Sequence, residues 1–173
     1  MCTAIAYRCD DVYFGRNLDL ERGYNERVVI TPRNYVFNMR CVKPITKHYA
    51  MIGMAAVIDN YPLYFEATNE AGLSVAGLNF PGNAVYFPKT DTKQNVAPFE
   101  LIPLILGQCN TISEATALLD KINIADIPFS KDYPLTPLHW LIADRERSVV
   151  AEQTAQGLNL YDNPIGILTH GSR

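Results

Sequence analysis

The sequence has no uninterrupted hydrophobic run that approaches the roughly 18 residues needed to span a bilayer. It also lacks the pattern of a secretory signal, because the apolar stretch after Met1 is short and Asp10 and Asp11 follow it. These absences predict a cytoplasmic protein that has no membrane partner.

An excess of basic residues is missing as well. The chain has 15 lysine and arginine residues against 18 acidic ones, a formal net charge of −3, and no lysine- or arginine-rich run. Because binding to nucleic acid depends on such positive charge, we predict no nucleic-acid partner.

The chain contains no pair of cysteines at the CxxC spacing of zinc sites and redox motifs. Its four cysteines are Cys2, Cys9, Cys41 and Cys109. The spacing predicts no metal site and argues against a thiol-redox protein, and we expect no cofactor. In the reducing cytoplasm the four cysteines should be free thiols.

What is present is the composition of a soluble globular protein, with 48% hydrophobic and 19% charged residues. A length of 173 residues predicts a single domain over residues 1–173. Short β-prone runs fill the first half, and a turn-like segment between the first two predicts a hairpin. The runs cover residues 2–8, 12–18, 26–32, 49–58, 63–69 and 73–80.

Two helices are predicted in the middle of the chain, over residues 97–109 and 111–122. Pro103 should kink the first helix or shift its start, and Thr111 with Glu114 predicts a capping box at the second. Three further strands follow, over residues 137–145, 148–154 and 157–163. This order favours an α+β class with strands and helices in separate layers.

Cys2, directly behind Met1, has two open interpretations. A free cysteine at the start of a strand is commonly a small buried hydrophobe. If Met1 is removed, however, the α-amine of Cys2 becomes available as a base for its own thiol, because such amines have a pKa of about 7.7–8.0. A nucleophilic thiol would also need a nearby cation that favours the thiolate.

Arg16 and Asp19 lie at the end of the second strand of the predicted hairpin. A tight hairpin places its two outer ends side by side, so both residues should lie near Cys2. Arg16 would then supply the cation, and Asp19 would hold the α-amine. The alternative is an ordinary surface ion pair, which contributes little.

The motifs MCTAIAY and YFGRNLDLERGYNERVVITPR resemble the choloylglycine hydrolases, which are the bile salt hydrolases and penicillin V acylases of the N-terminal nucleophile superfamily. The resemblance continues through NYPLYFEATNEAGLSVAGLNFPG, PFELIPLILGQC, PLTPLHWLIAD and YDNPIGILT, to about Thr169. It implies a four-layer αββα sandwich, incomplete at the C-terminal side, and a homo-oligomer for the full-length enzymes.

The resemblance also implies a mechanism. Cys2 matches the nucleophile, which attacks an amide carbonyl to form a thioester that water then hydrolyses. Arg16 and Asp19 match the residues that steady this nucleophile. Asn79 matches a side-chain donor to the tetrahedral oxyanion, although by itself it could simply form a turn before Pro81.

The substrate implied by the resemblance is a conjugated bile salt, the amide of a steroid acid with glycine or taurine. The penicillin-type members tend to carry tyrosine at the position of Asn79, and penicillin V hydrolysis is the alternative. By family position an apolar groove would bind the steroid. Its candidate residues, each of which could equally be ordinary core, are Leu18, Tyr24, Ile58, Phe65, Phe129 and Leu135.

Two features depart from the simplest interpretation as an enzyme. His170 stands where the family has an asparagine that provides a second oxyanion donor, and family chains are about twice this length. The chain is therefore expected to be an N-terminal half with little or no hydrolytic activity of its own, and a truncated, catalytically inactive fragment that only associates with other chains is an alternative. His139 lies in a strand pattern, and we expect a core histidine there and not the partner of a catalytic cysteine.

Overall fold

The computed structural model describes residues 2–19 and 23–169. Its elements, in chain order, are β1 (Thr3–Arg8), β2 (Val12–Asn17), β3 (Arg27–Thr31), β4 (Met51–Ile58), β5 (Tyr61–Asn69), β6 (Ser74–Asn79), β7 (Gln94–Val96), a 3₁₀ turn (Pro98–Glu100), α1 (Leu101–Gln108), α2 (Ile112–Leu119), β8 (Ile122–Ile124), β9 (Leu138–Ala143), β10 (Ser148–Thr154), β11 (Gly157–Asp162) and β12 (Ile167–Thr169). No helix in these two ranges is long and apolar enough to cross a membrane.

The strands form two antiparallel sheets and a small parallel pair. One sheet has seven strands in the order β11-β10-β9-β6-β5-β4-β3, and the other has three, β12-β1-β2. The predicted hairpin of β1 and β2 is confirmed, with Thr3 opposite Asn17 and Arg8 opposite Val12. Strand β12 was not predicted, and it pairs with β1 along the other edge.

Two apolar cores separate three layers. Helices α1 and α2 cover one face of the seven-stranded sheet, where Leu101, Leu104 and Ile105 are fully buried. The three-stranded sheet covers the opposite face, and small residues such as Ala4 and Ala6 fill the space between the sheets. The described residues thus form the helix, sheet and sheet layers of the predicted sandwich.

The structure tests two predictions about where the helices start, one at Pro103 and one at Thr111 with Glu114. Pro103 lies in the first turn of α1, where a backbone N–H has no partner within the helix, so the start is shifted and no kink is needed. Thr111 Oγ1 accepts from the Glu114 N–H at 3.2 Å. In turn, Glu114 Oε2 accepts a hydrogen bond from the N–H of Asn110, one residue before the N-cap, at 2.8 Å.

The predicted end of the second helix is wrong. We expected the helix to reach residue 122, but it ends at Leu119, and Ile122 begins β8. Strands β7 and β8 pair in parallel over three residues each. Ile122 fits the apolar periodicity of a helix, and its burial beside β7 satisfies the same apolar requirement in a strand.

A buried asparagine joins the β5–β6 hairpin to the end of α1. Asn69 Nδ2 donates to the carbonyl oxygens of Leu106 and Cys109, each at 2.8 Å. Its Oδ1 accepts from the N–H groups of Ala71 at 3.1 Å and Leu73 at 3.0 Å. The Asn69 side chain therefore provides hydrogen-bond partners both for N–H groups of the hairpin turn and for carbonyl groups at the C-terminal end of the helix.

We expect Asn69→Ala to lower the free energy of unfolding by about 2–4 kcal/mol, because it leaves several buried backbone groups without partners. Urea unfolding followed by circular dichroism measures this loss. Asn34→Ala, at an exposed asparagine, is the control and should change stability by less than about 0.5 kcal/mol. Equal stability of the two variants would contradict this role of Asn69.

Candidate active site

A cavity of about 280 Å³ opens where β5 and β6 diverge. The two strands pair only from Glu66 opposite Ala76 to Thr68 opposite Ser74. Beyond that point β6 continues along β9, up to Asn79 opposite Leu138. The cavity is lined by Cys2 and Arg16 from the first hairpin, by Leu63, Tyr64 and Phe65 of β5, by Gly77 and Asn79 of β6, by Leu138 and Trp140 of β9, and by residues of α1 and of segment 127–136.

Cys2 lines this cavity and is only 3% exposed. Its Sγ donates to the backbone carbonyl of Asp19 at 3.6 Å. The N–H of Thr3 donates to Asn17 Oδ1 at 2.6 Å, which fastens the start of β1 to the end of β2. The hairpin therefore places Cys2 beside the 16–19 segment, as predicted. Met1, on whose removal the α-amine depends, lies outside the described residues.

Arg16 enters the space between the sheets and lines the same cavity as Cys2. Its side chain is only 3% exposed, which excludes the alternative of a surface ion pair. Nη1 donates to the carbonyl oxygens of Gly77 at 2.6 Å and Phe65 at 3.2 Å. The divergence of β5 and β6 frees these two carbonyls from the sheet ladder, so Arg16 occupies the gap that the strands leave.

Glu66 is a partner of Arg16 that the sequence did not point to. Its Oε2 lies 3.8 Å from Arg16 Nε, and its side chain is 20% exposed. Burial raises the pKa of the Glu66 carboxyl to about 7, and the Arg16 charge and a hydrogen bond from the Met54 backbone oppose that rise. A buried carboxyl is thus held next to the arginine of the candidate site.

This shift makes stability depend on pH in a defined direction. Because the folded pKa of Glu66 is raised above its ordinary value of 4.5, the folded protein binds more protons than the unfolded chain between pH 4.5 and 7. The contribution of Glu66 to the free energy of unfolding is fully present below pH 4.5 and is lost as the pH rises to about 7. Glu66→Gln removes this dependence.

We expect wild type to lose about 3 kcal/mol of unfolding free energy relative to Glu66→Gln as the pH rises through that window. Urea titrations at several pH values measure the difference. Glu70→Gln is the matched control, because a hydrogen bond from Arg33 lowers the pKa of Glu70 to about 2, below the window. A pH-independent difference between wild type and Glu66→Gln would refute the shift.

Asp19 contacts the Cys2 thiol, and Asn79 lines the same cavity as that thiol. The Asp19 residue is exposed, and its described contact with Cys2 uses the backbone carbonyl. The predicted role of its carboxylate, which involves the α-amine, stays a prediction. Asn79, at the end of β6, lines the cavity, and no group among the described residues hydrogen-bonds its side-chain amide. Its amide is therefore available to a ligand.

Five of the six predicted groove residues line the cavity: Leu18, Tyr24, Phe65, Phe129 and Leu135. The rings of Tyr24 and Phe65 lie 6.4 Å apart. Ile58 is not among the lining residues, and its placement in the groove is not supported. It lies two residues beyond Ala56, which does line the cavity, and so about 6.6 Å farther along β4, next to the Asp59–Asn60 turn.

Arg40 fastens the loop that forms one wall of the cavity, and no pattern in the sequence pointed to it. Its Nη2 donates to the carbonyl of Phe129 at 2.9 Å. Its guanidinium carbon lies 5.3 Å from the centroid of the Phe129 ring and 5.7 Å from that of Phe99. A cation over two aromatic rings stabilises their position, so Arg40 holds the Phe129 wall in place.

His139 is not among the residues that line the cavity. His139 is 1% exposed and stacks on Phe80, with ring centroids 4.4 Å apart, as expected for a core histidine. Its Nδ1 lies 3.6 Å from Glu152 Oε1. The four cysteines are free thiols, and the described residues contain no group of three potential metal ligands. His170 lies outside the described residues.

Comparison with known proteins shows which family the chain matches. A profile described as linear amide C–N hydrolases, choloylglycine hydrolase family, matches residues 2–173. The chain is 50% identical to a bile salt hydrolase/transferase of Lactiplantibacillus plantarum, covering 98% of this chain and 52% of that protein. It is 38% identical to a bile salt hydrolase/transferase of Clostridium perfringens, of which it covers 53%. The chain thus spans about half the length of the curated relatives it matches.

Solved structures agree with this comparison. A mutant conjugated bile acid hydrolase from Clostridium perfringens superimposes with a TM-score of 0.92 at 36% identity, over the whole of this chain and 54% of that one. Penicillin V acylase from Agrobacterium tumefaciens gives a TM-score of 0.75 at 16% identity, which shows a shared fold only. The predicted N-terminal nucleophile hydrolase fold is confirmed.

Proposed function

Because the chain belongs to the choloylglycine hydrolase family of linear amide C–N hydrolases, we propose that it hydrolyses the amide bond of conjugated bile salts with Cys2 as the nucleophile. The observation that carries this proposal is one cavity that contains a thiol, a buried arginine and an amide donor, Cys2, Arg16 and Asn79. These are the groups that nucleophilic acyl transfer requires.

The proposed reaction runs in two steps. The Cys2 thiol passes its proton to the α-amine exposed by loss of Met1, the resulting thiolate adds to the amide carbonyl, and Asn79 donates a hydrogen bond to the oxyanion that forms. The C–N bond then breaks, and the amine leaves with that proton. In the second step water attacks the thioester, and the acid and the thiol are released.

Arg16 favours the thiolate form of Cys2 in this scheme. A cation close to a cysteine stabilises the negatively charged sulfur. The arginine is fixed by two backbone carbonyls and by Glu66 before any substrate binds. Such preorganised charge requires no rearrangement during the reaction.

The walls of the cavity suit the proposed substrate class. Its lining is largely apolar and aromatic, with Leu18, Phe65, Phe129 and Leu135 among the contributors. A steroid acid could lie against these side chains while its amide faces the polar groups. Curated relatives are named bile salt hydrolase/transferase and conjugated bile acid hydrolase, and their substrate class is carried over here by proposal.

The test of substrate class is release of glycine or taurine by the purified protein. Glycocholate and taurocholate should be hydrolysed with a higher kcat/KM than penicillin V. Amine release is followed with ninhydrin and penicillin V hydrolysis by chromatography of phenoxyacetic acid. A preference for penicillin V would favour the acylase alternative, and no hydrolysis of any of the three would overturn the proposal.

A second candidate, a chain that only associates with other chains, is favoured by one exposed surface. On the three-stranded sheet Ile5, Tyr7, Tyr13 and Ile167 are 40%, 55%, 59% and 43% exposed. An apolar sheet face of this kind is typical of a contact surface. Size-exclusion chromatography with light scattering tests association, and a monomer that releases glycine from glycocholate would exclude this candidate.

A further inference from the structure

Glu66 carries a buried carboxylate to which the proposed mechanism gives no part. It lies on β5 at the last paired position before the strands diverge, opposite Ala76. Among the described residues, no group donates a hydrogen bond to its Oε2 atom, which lies 3.8 Å from Arg16 Nε. Leaving a buried carboxylate oxygen without a donor is costly, which indicates a function other than folding stability.

The orientation of Arg16 depends on the groups around its guanidinium. Nη1 is held by the Gly77 and Phe65 carbonyls, and Nε faces Glu66 and the Asn17 carbonyl. In the part of the chain that the structure describes, Nη2 makes no hydrogen bond. The guanidinium is a rigid planar fork, so fixing Nη1 and Nε also fixes the direction of Nη2.

Glu66 supplies the charge in this arrangement. The backbone carbonyls offer partial charges, whereas Glu66 is the carboxylate that lies within 4 Å of Arg16 among the described residues. It approaches from β5 of the large sheet, while Arg16 belongs to β2 of the small one. The ion pair thus joins the two sheets beside the cavity that Arg16 and Cys2 share.

We propose that Glu66 is a positioning residue for amide hydrolysis, holding the Arg16 guanidinium in the orientation that presents it to the Cys2 thiol and the bound substrate. This role rests on the proposed function, in which Arg16 favours the Cys2 thiolate. Glu66 does not line the cavity, so it acts through Arg16 and does not touch the substrate.

A positioning role for Glu66 and a purely electrostatic role predict opposite changes in the reactivity of the Cys2 thiol when Glu66 is replaced by glutamine. The substitution removes a negative charge near Arg16, so the net positive field at Cys2 increases, and electrostatics alone would make the thiol more reactive. Loss of positioning lets the guanidinium turn away and makes the thiol less reactive. The direction of the change therefore identifies the role.

The test is the rate of Cys2 alkylation by iodoacetamide at pH 8, read by peptide mass spectrometry on the purified protein. We expect Glu66→Gln to slow alkylation about tenfold, a coupling common between contacting residues. Glu66→Asp, which keeps the charge, should recover most of the rate and also serves if the glutamine variant folds poorly. The control is Glu70→Gln, because Glu70 is an exposed carboxylate on the turn that follows β5. This variant should leave the rate of Cys2 alkylation unchanged.

A double-mutant cycle separates the two proposals. Arg16→Gln should itself slow Cys2 alkylation, and adding Glu66→Gln to it should have no further effect. With glycocholate, Glu66→Gln should lower kcat and leave KM nearly unchanged. If Arg16→Gln does not slow alkylation, the proposed role of Arg16 fails. If Arg16→Gln slows it but Glu66→Gln does not, or slows it equally in both backgrounds, the positioning role of Glu66 is overturned.

Discussion

Cys2→Ala will release glycine from glycocholate more slowly than wild type by a factor on the order of 10⁴ or more, the effect of removing a catalytic nucleophile. The reason is chemical, because without the thiol no acyl intermediate can form. Arg16 and Asn79 still line the cavity in this variant, and Asn79 keeps its donor for an oxyanion. The residual rate would be that of water attacking a bound substrate.

The matched control is Cys9→Ala, because Cys9 is also a thiol of the first hairpin. It lies exposed in the turn after β1, away from the cavity. Its loss should leave kcat/KM within about twofold of wild type. Comparable losses for Cys2→Ala and Cys9→Ala would mean that the hairpin, and not the thiol of Cys2, carries the effect.

Asn79→Ala will lower kcat by about 10²–10³-fold, corresponding to about 2.7–4 kcal/mol of barrier, the general magnitude for one oxyanion donor. The amide of Asn79 points to no hydrogen-bond partner in the described chain, so its donor is available for a charge that appears only during the reaction. Since that interaction is specific to the transition state, KM should change little.

The control for Asn79 is Asn83→Ala. Asn83 follows four residues later, and its amide donates to the Pro81 carbonyl at 3.3 Å. Steady-state kinetics on glycocholate should show no more than about a twofold change for this variant. A rise in KM without a fall in kcat for Asn79→Ala would show that Asn79 binds the ground state and does not stabilise the oxyanion.

The first hairpin is the part of the site that the sequence predicts best. Two β-prone runs with a short turn determine which residues face each other, so the sequence alone is enough to place Arg16 near Cys2. Hairpin pairing is a local property, set by residues close together in sequence. Asn79, by contrast, was predicted only through the family resemblance.

Contacts between distant elements could not be predicted in this way. Glu66 and Arg16 are 50 positions apart and lie on different sheets. Arg40 reaches the Phe129 loop across an even longer stretch of the chain. Neither pair leaves a periodic signal, because each depends on how the layers stack and where β5 and β6 diverge.

Short strands and the groove residue Ile58 also limited what could be predicted from the sequence. Strands β7, β8 and β12 have three residues each, too few for alternation to be recognised. Ile58 was placed in the groove by family position, and it is the last residue of β4 and not among the residues that line the cavity. A shift of two residues along a strand is enough to move a side chain out of contact.

The most direct test of the central claim is to trap the acyl intermediate. The purified protein is mixed with glycocholate, quenched in acid within milliseconds to seconds, and digested for peptide mass spectrometry. We predict a cholyl group attached as a thioester to the sulfur of an N-terminal Cys2 that has lost Met1. Glycine release with no acyl adduct on Cys2, or with the adduct on another residue, would contradict the account.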